Sequence, residues 1–65
     1  MHNKLRGRIA ERYGSQNKFS KAAGVSYVTV SRKMTGKIGF SYNDVILWSE
    51  LLGIKKEEIS DFFYS

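Results

Sequence analysis

Residues 16–36 read QNKFSKAAGVSYVTVSRKMTG, and this stretch constrains the chain more than any other. It holds two short helical patterns with Gly24 between them. Ser15 stands where an N-cap is needed, since its hydroxyl can accept from an orphan amide of a first helical turn. Phe19, Ala22 and Ala23 then recur at helical spacing and predict one apolar face. Gly24 is placed to end that helix in the left-handed conformation, which is least costly for glycine. Val25 is expected to be a buried connector. Ser26 caps a second helix, Val30 and Met34 share its inner face at i and i+4, and Gly36 ends it. Tyr27, Val28, Thr29 and Val30 are aromatic or β-branched and locally favour a strand. Such propensities are weak beside tertiary packing, and the capped pattern predicts a helix.

Taken in order, Gln16, Ser20, Gly24, Val25, Val30, Ser31, Arg32 and Gly36 resemble the helix-turn-helix of the phage Cro/repressor (XRE-like) family. The run SRKMTGK, followed by a long helix and LLGI, is similar to small regulators of Gram-positive phages. The resemblance extends over nearly the whole chain. It implies an all-α domain of five helices that binds operator DNA, regulates transcription in a lysis–lysogeny choice and needs no cofactor. A modulator that binds a phage repressor, in the manner of an antirepressor, is the second implied role. Two positions depart from the family pattern. Ser20 replaces the usual Ala, and Lys33 stands where many members are apolar, so Met34 must take more of the anchoring.

Sixty-five residues make one domain, 1–65, with no internal repeat or linker. A chain of this size buries only about 60% of its unfolded surface, so its core must be efficient. Absence of cysteine excludes a disulfide framework, a thiolate metal site and a Cys nucleophile. The only histidine, His2, lies at the end of the chain, and no metal role is expected of it. No apolar run approaches the ~20 residues of a membrane span, and no signal-peptide core opens the sequence. A cytoplasmic location without a membrane partner is therefore expected.

Charge is divided unevenly. Residues 1–37 carry nine Lys and Arg against one acid, Glu11, for +8. Residues 38–65 carry two Lys against five acids, for −3. The basic half contains the helix-turn-helix pattern, which points to a polyanion on that side. The plainer alternative is a solvated basic surface.

Around the central pair the chain reads as three more helices. Asn3 is a candidate cap for the first, Lys4 to Tyr13. Leu5, Ile9 and Tyr13 form its inner stripe, Ala10 widens it, and Arg6, Arg8 and Arg12 lie mostly off it. Gly7 inside this helix costs about 1 kcal/mol relative to Ala. Ile38 and Phe40 are expected to tuck the loop 37–40 inward. Ser41 caps the fourth helix, with Asp44 in its first turn. Val45, Trp48, Ser49 and Leu52 share one side, Ile46 extends it, and the helix is expected to be the most buried. Gly53 ends it, and Ile54 connects to a fifth helix from about Lys56 to Phe62 or Phe63. Lys55 is a poor cap for that helix.

Catalysis finds no support. Glu57 and Glu58 are adjacent and point to different sides of a helix, and no histidine stands near a candidate nucleophile. Gly36 and Gly39 lack any phosphate-loop pattern. Tyr13, Phe19, Phe40 and Trp48 fit core positions better than a stacking platform for single strands.

With Val30 and Met34 inward, Tyr27, Val28, Ser31 and Arg32 fall on the outer side of the third helix, at positions the resemblance makes base-reading. Arg can bond guanine O6 and N7, Val can meet a thymine methyl, and Tyr can reach a base edge or phosphate. Arg32 has the alternative of a phosphate contact or ion pair, Tyr27 that of packing on Phe40, and Ser31 fits base or phosphate. Phosphate contacts are expected from Gln16, at a helix start that attracts anions, and from Lys18, Lys33 and Lys37. The expected partners are double-stranded DNA, a second copy of the chain through the aromatic surplus of Phe62, Phe63 and Tyr64, and a phage repressor. Ile59, Phe62 and Phe63 are the apolar face of the fifth helix, and the alternative to a second copy is packing of Phe62 or Phe63 onto the first helix.

Overall fold

A computed structural model describes residues 3–64; the terminal reading of His2 lies outside these. The chain is all-α, with α1 Asn3–Tyr13, α2 Gln16–Ala23, α3 Tyr27–Met34, α4 Tyr42–Leu52 and α5 Ile59–Phe63. A 3-10 turn, Lys56–Glu58, leads into α5. No strand occurs among the described residues. The strand preference of Tyr27 to Val30 is thus overridden by a capped helix whose inner face is buried.

Caps account for where the helices begin. Ser15, Ser26 and Ser41 each accept, through the side chain, the backbone N–H three residues on, at Lys18, Thr29 and Asp44. Asp44 returns the bond, accepting from the Ser41 N–H at 2.9 Å, which completes a capping box. Asn3 is already helical rather than a cap. Lys55 offers no side-chain cap, and its own backbone N–H donates to Glu58 Oε1 at 3.1 Å.

The core gathers Leu5 and Ile9 from α1, Phe19 from α2, Val30 and Met34 from α3, Val45, Trp48 and Leu52 from α4, then Ile54, Phe62 and Phe63. A chain of edge-to-face rings runs through it. Tyr13 meets Phe19 at 5.3 Å, Phe19 meets Trp48 at 4.7 Å, Trp48 meets Phe40 at 4.9 Å, and Phe40 meets Phe63 at 5.0 Å. Such pairs favour this geometry because a ring's positive edge faces its neighbour's negative face. Ser20 is buried beside Phe19, and its hydroxyl donates to the Asn17 carbonyl at 2.6 Å. The extra oxygen relative to Ala is therefore satisfied.

Several apolar residues expected inside are outside. Ala10 and Ala22 are exposed, because α1 and α2 turn narrower stripes inward than their sequences offer. Val25 is 39% exposed: the turn after Gly24 is held by its backbone, with Val25 N–H donating to Ser20 O at 3.1 Å, rather than by a buried side chain. Ile38 stays at the surface while Phe40 takes the place against Trp48. Ile46 is exposed, as are Tyr42 and Leu47, so α4 is not buried all round. Phe62 and Phe63 are buried within their own chain, which removes them from the expected surface for a second copy.

The Arg8 guanidinium donates to the carbonyls of Leu52 at 2.8 Å and Gly53 at 3.2 Å, and lies 5.0 Å from the centre of the Phe62 ring. It satisfies free carbonyls at the end of α4, where a cation is also favoured by the helix dipole. Tyr13 OH donates to the Leu51 carbonyl at 3.1 Å in the same region. These bonds tie α1 to the end of α4.

Gly7 is exposed in mid-helix, and a Cβ there would meet nothing within 4 Å. It permits no close approach of another backbone. Gly7→Ala is expected to stabilise the chain by about 0.5–1 kcal/mol, by restricting the unfolded chain. Thermal unfolding checks this, and a lower melting temperature would contradict it.

Candidate nucleic-acid interface

From Arg12 to Asn43 the sequence contains no Asp or Glu. Both α2 and α3 accordingly have no acid in the first turn, whereas α4 has Asp44 there. The free N–H groups of α2 and α3 thus start without a side-chain anion, in the part of a helix that attracts one.

Val30 and Met34 are fully buried and fix the rotation of α3. That rotation turns Tyr27 and Val28 outward, 50% and 54% exposed, together with Arg32. Ser31 is half-buried and lies lower on the side of the helix. Phe40, the expected alternative neighbour of Tyr27, is occupied by Trp48 and Phe63. Ser15, Gln16 and Asn17 at the start of α2 line one open depression with Tyr27 at the start of α3. Gln16, expected at a phosphate, and Tyr27, expected at a base, are therefore neighbours on one surface.

The end of α3 sets Lys37. Gly36 adopts φ 84°, and the Lys37 N–H donates to the Arg32 carbonyl at 2.9 Å. The Ile38 N–H and the Thr35 hydroxyl donate to the same carbonyl at 3.3 Å each. Arg32 thus anchors the turn carrying Lys37 through its backbone while its side chain remains exposed. Lys18, Lys21 and Lys37 are exposed as well.

Lys33 departs from the phosphate role expected of it. Its Nζ pairs with Asp44 Oδ2 at 2.5 Å, reaches the Gly39 carbonyl at 3.4 Å and lies 5.8 Å from the centre of the Phe40 ring. Only 11% of its side chain is exposed. The Lys33 stem is covered while its charge is neutralised by Asp44 in the first turn of α4. The pair braces α3 against the start of α4. Sequence spacing alone did not reveal it, since the partners lie eleven residues apart across an irregular loop.

Burial raises the Asp44 carboxyl pKa, but the Lys33 ammonium and the bonds from Ser41 outweigh it, leaving the group below its ordinary value. A depressed carboxylate stabilises the fold above its unfolded pKa and loses that contribution as pH falls through the folded value. Stability should therefore drop below about pH 4, and Asp44→Asn should flatten that limb of the profile. Urea unfolding of both chains between pH 2 and 7 measures this; an unchanged acid limb in Asp44→Asn would contradict it.

Among the described residues no helix is long and apolar enough to cross a membrane. No curated protein matches the chain. A family described as "Protein of unknown function (DUF739)" matches residues 1–65, the whole length. The chain therefore belongs to the DUF739 family.

Proposed function

We propose that this protein binds double-stranded DNA through α2 and α3 and acts as a sequence-specific transcriptional regulator. The observation that carries this reading is the acid-free stretch from Arg12 to Asn43, with Tyr27, Val28 and Arg32 exposed on a helix whose opposite face is buried. In the proposal, α3 enters the major groove, Arg32 reads guanine, Val28 meets a thymine methyl and Tyr27 reaches a base edge. Ser31, lower on the helix, serves base or phosphate. Gln16, Lys18 and Lys37 hold the backbone and set register. Lys33 is left out of this set, since Asp44 already neutralises it. The likeness to phage Cro/repressor proteins supports the same role, a lysis–lysogeny choice made in the cytoplasm without a cofactor.

A second reading is favoured by one observation. Val25, Tyr27 and Val28 form a short exposed run that is largely apolar. Such a surface also suits a protein partner, and a modulator that docks on a phage repressor would use it. The two readings separate on salt. Phosphate contacts release counterions, so DNA affinity falls steeply with ionic strength. A gel-shift series at rising salt, beside a pull-down with a repressor from the same genome, distinguishes them. Affinity for the repressor alone would replace the DNA reading.

A further inference from the structure

The loop between α3 and α4 carries Lys37 and has little packing of its own. Lys37, Ile38 and Gly39 are exposed, and a Cβ on Gly39 would meet nothing within 4 Å. Two neighbouring residues of α3 hold this loop instead. The Arg32 carbonyl accepts from the Lys37 and Ile38 N–H groups at 2.9 and 3.3 Å. The Lys33 ammonium donates to the Gly39 carbonyl at 3.4 Å and to Asp44 Oδ2 at 2.5 Å. That same carboxylate oxygen accepts from the Ser41 N–H at 2.9 Å. Phe40, between them, packs on Trp48 and Phe63. Lys33 and Asp44 thus clasp the loop between the end of α3 and the start of α4.

We propose that the Lys33–Asp44 pair is a positioning device for DNA binding: it holds the loop so that Lys37 meets the phosphate backbone, and neither member touches DNA itself. The proposal rests on the DNA reading of α2 and α3. A loop ordered before binding loses less freedom on binding, so its contact is worth more. The sign of the effect sets this role apart from plain charge. Asp44 ends the acid-free stretch that begins at Arg12, and a carboxylate near a polyanion is unfavourable in itself. Asp44→Asn would raise the net charge above +5 and release the Lys33 ammonium. Charge alone therefore predicts tighter duplex binding by Asp44→Asn, whereas the clasp predicts weaker binding. The fold need not suffer, because an Asn oxygen can still accept from the Ser41 N–H. Lys33→Met breaks the same clasp from the other side and leaves the Ser41–Asp44 capping box in place.

Two measurements on the full chain at neutral pH test this. The first needs no DNA. Amide hydrogen exchange followed by NMR should show Lys37 and Ile38 exchanging faster in Asp44→Asn and Lys33→Met than in the parent, with the α1 amides unchanged. Parent-like exchange at Lys37 and Ile38 in both variants overturns the inference. The second is titration of random duplex DNA at several salt concentrations. Asp44→Asn should bind about threefold more weakly or worse, with a salt slope lower by about one ion. Adding Lys37→Ala to Asp44→Asn should then change little, since the contact it removes is already lost. A merely structural role for the pair would leave the Lys37→Ala effect undiminished. Asp44→Asn that binds as tightly as the parent or tighter, or a full Lys37→Ala effect in its background, overturns the inference alone. A folded parent that binds no duplex overturns the DNA reading and this inference with it.

Discussion

Val30→Asp is expected to abolish cooperative folding. Val30 is fully buried on the inner face of α3, packed with Met34 in a core whose members come from every helix. The substitution removes about 1.5–3 kcal/mol of apolar burial and puts a carboxylate where no cation is placed to receive it, at several kcal/mol more. A domain of this length has on the order of 3–10 kcal/mol of total stability, from about 0.05–0.15 kcal/mol per residue. The loss therefore consumes most or all of it. Val28→Asp, two residues away and exposed, provides the contrast, with an expected change within about 0.5 kcal/mol. Thermal unfolding followed by circular dichroism reads both. A cooperative Val30→Asp melt within about 1 kcal/mol of the parent would show that α3 is rotated differently.

Arg32→Ala should cost about 1–3 kcal/mol on a preferred DNA site, relax the preference at one base pair and matter less on random duplex. The exposed Arg32 side chain stands beyond the buried face of α3, where the proposed groove would lie. Lys37 is held past the helix end by its backbone bond to the Arg32 carbonyl. Lys37→Ala should weaken preferred and random DNA by similar factors and lower the salt slope by about one ion. Titrations of both variants on both DNAs, each at several salt concentrations, separate the two roles. Equal weakening of both DNAs by Arg32→Ala would make Arg32 a phosphate contact and remove its base-reading role.

Much of the fold was legible because local signals agreed. Ser15, Ser26 and Ser41 marked helix starts, and glycines marked ends within a residue or so. The buried side of α4, Val45, Trp48, Ser49 and Leu52, followed from spacing alone. Periodicity failed where a residue was apolar but the helix had no neighbour on that side. Ala10, Ala22 and Ile46 share the right spacing yet face solvent, since spacing gives a residue's angle but not which angles are covered. Phe62 and Phe63 fitted two outcomes by sequence, a surface for a second copy or packing within the chain, and the second holds: Phe40 and Arg8 extend the core to cover them. In the candidate interface Ser31, expected outward, is half-buried, while the outward placing of Tyr27, Val28 and Arg32 was legible once Val30 and Met34 were fixed inward. Lys33 was not, because its role depends on an ion pair made by tertiary folding.

The central claim is that α2 and α3 bind duplex DNA and read its sequence. Repeated selection from a pool of random double-stranded DNA, at low and then physiological salt, tests it most directly. The account predicts enrichment of a short motif, with affinity that falls steeply as salt rises and a motif position that loses its preference in Arg32→Ala. Failure of the folded parent chain to retain or enrich any duplex, even at low salt, would contradict it.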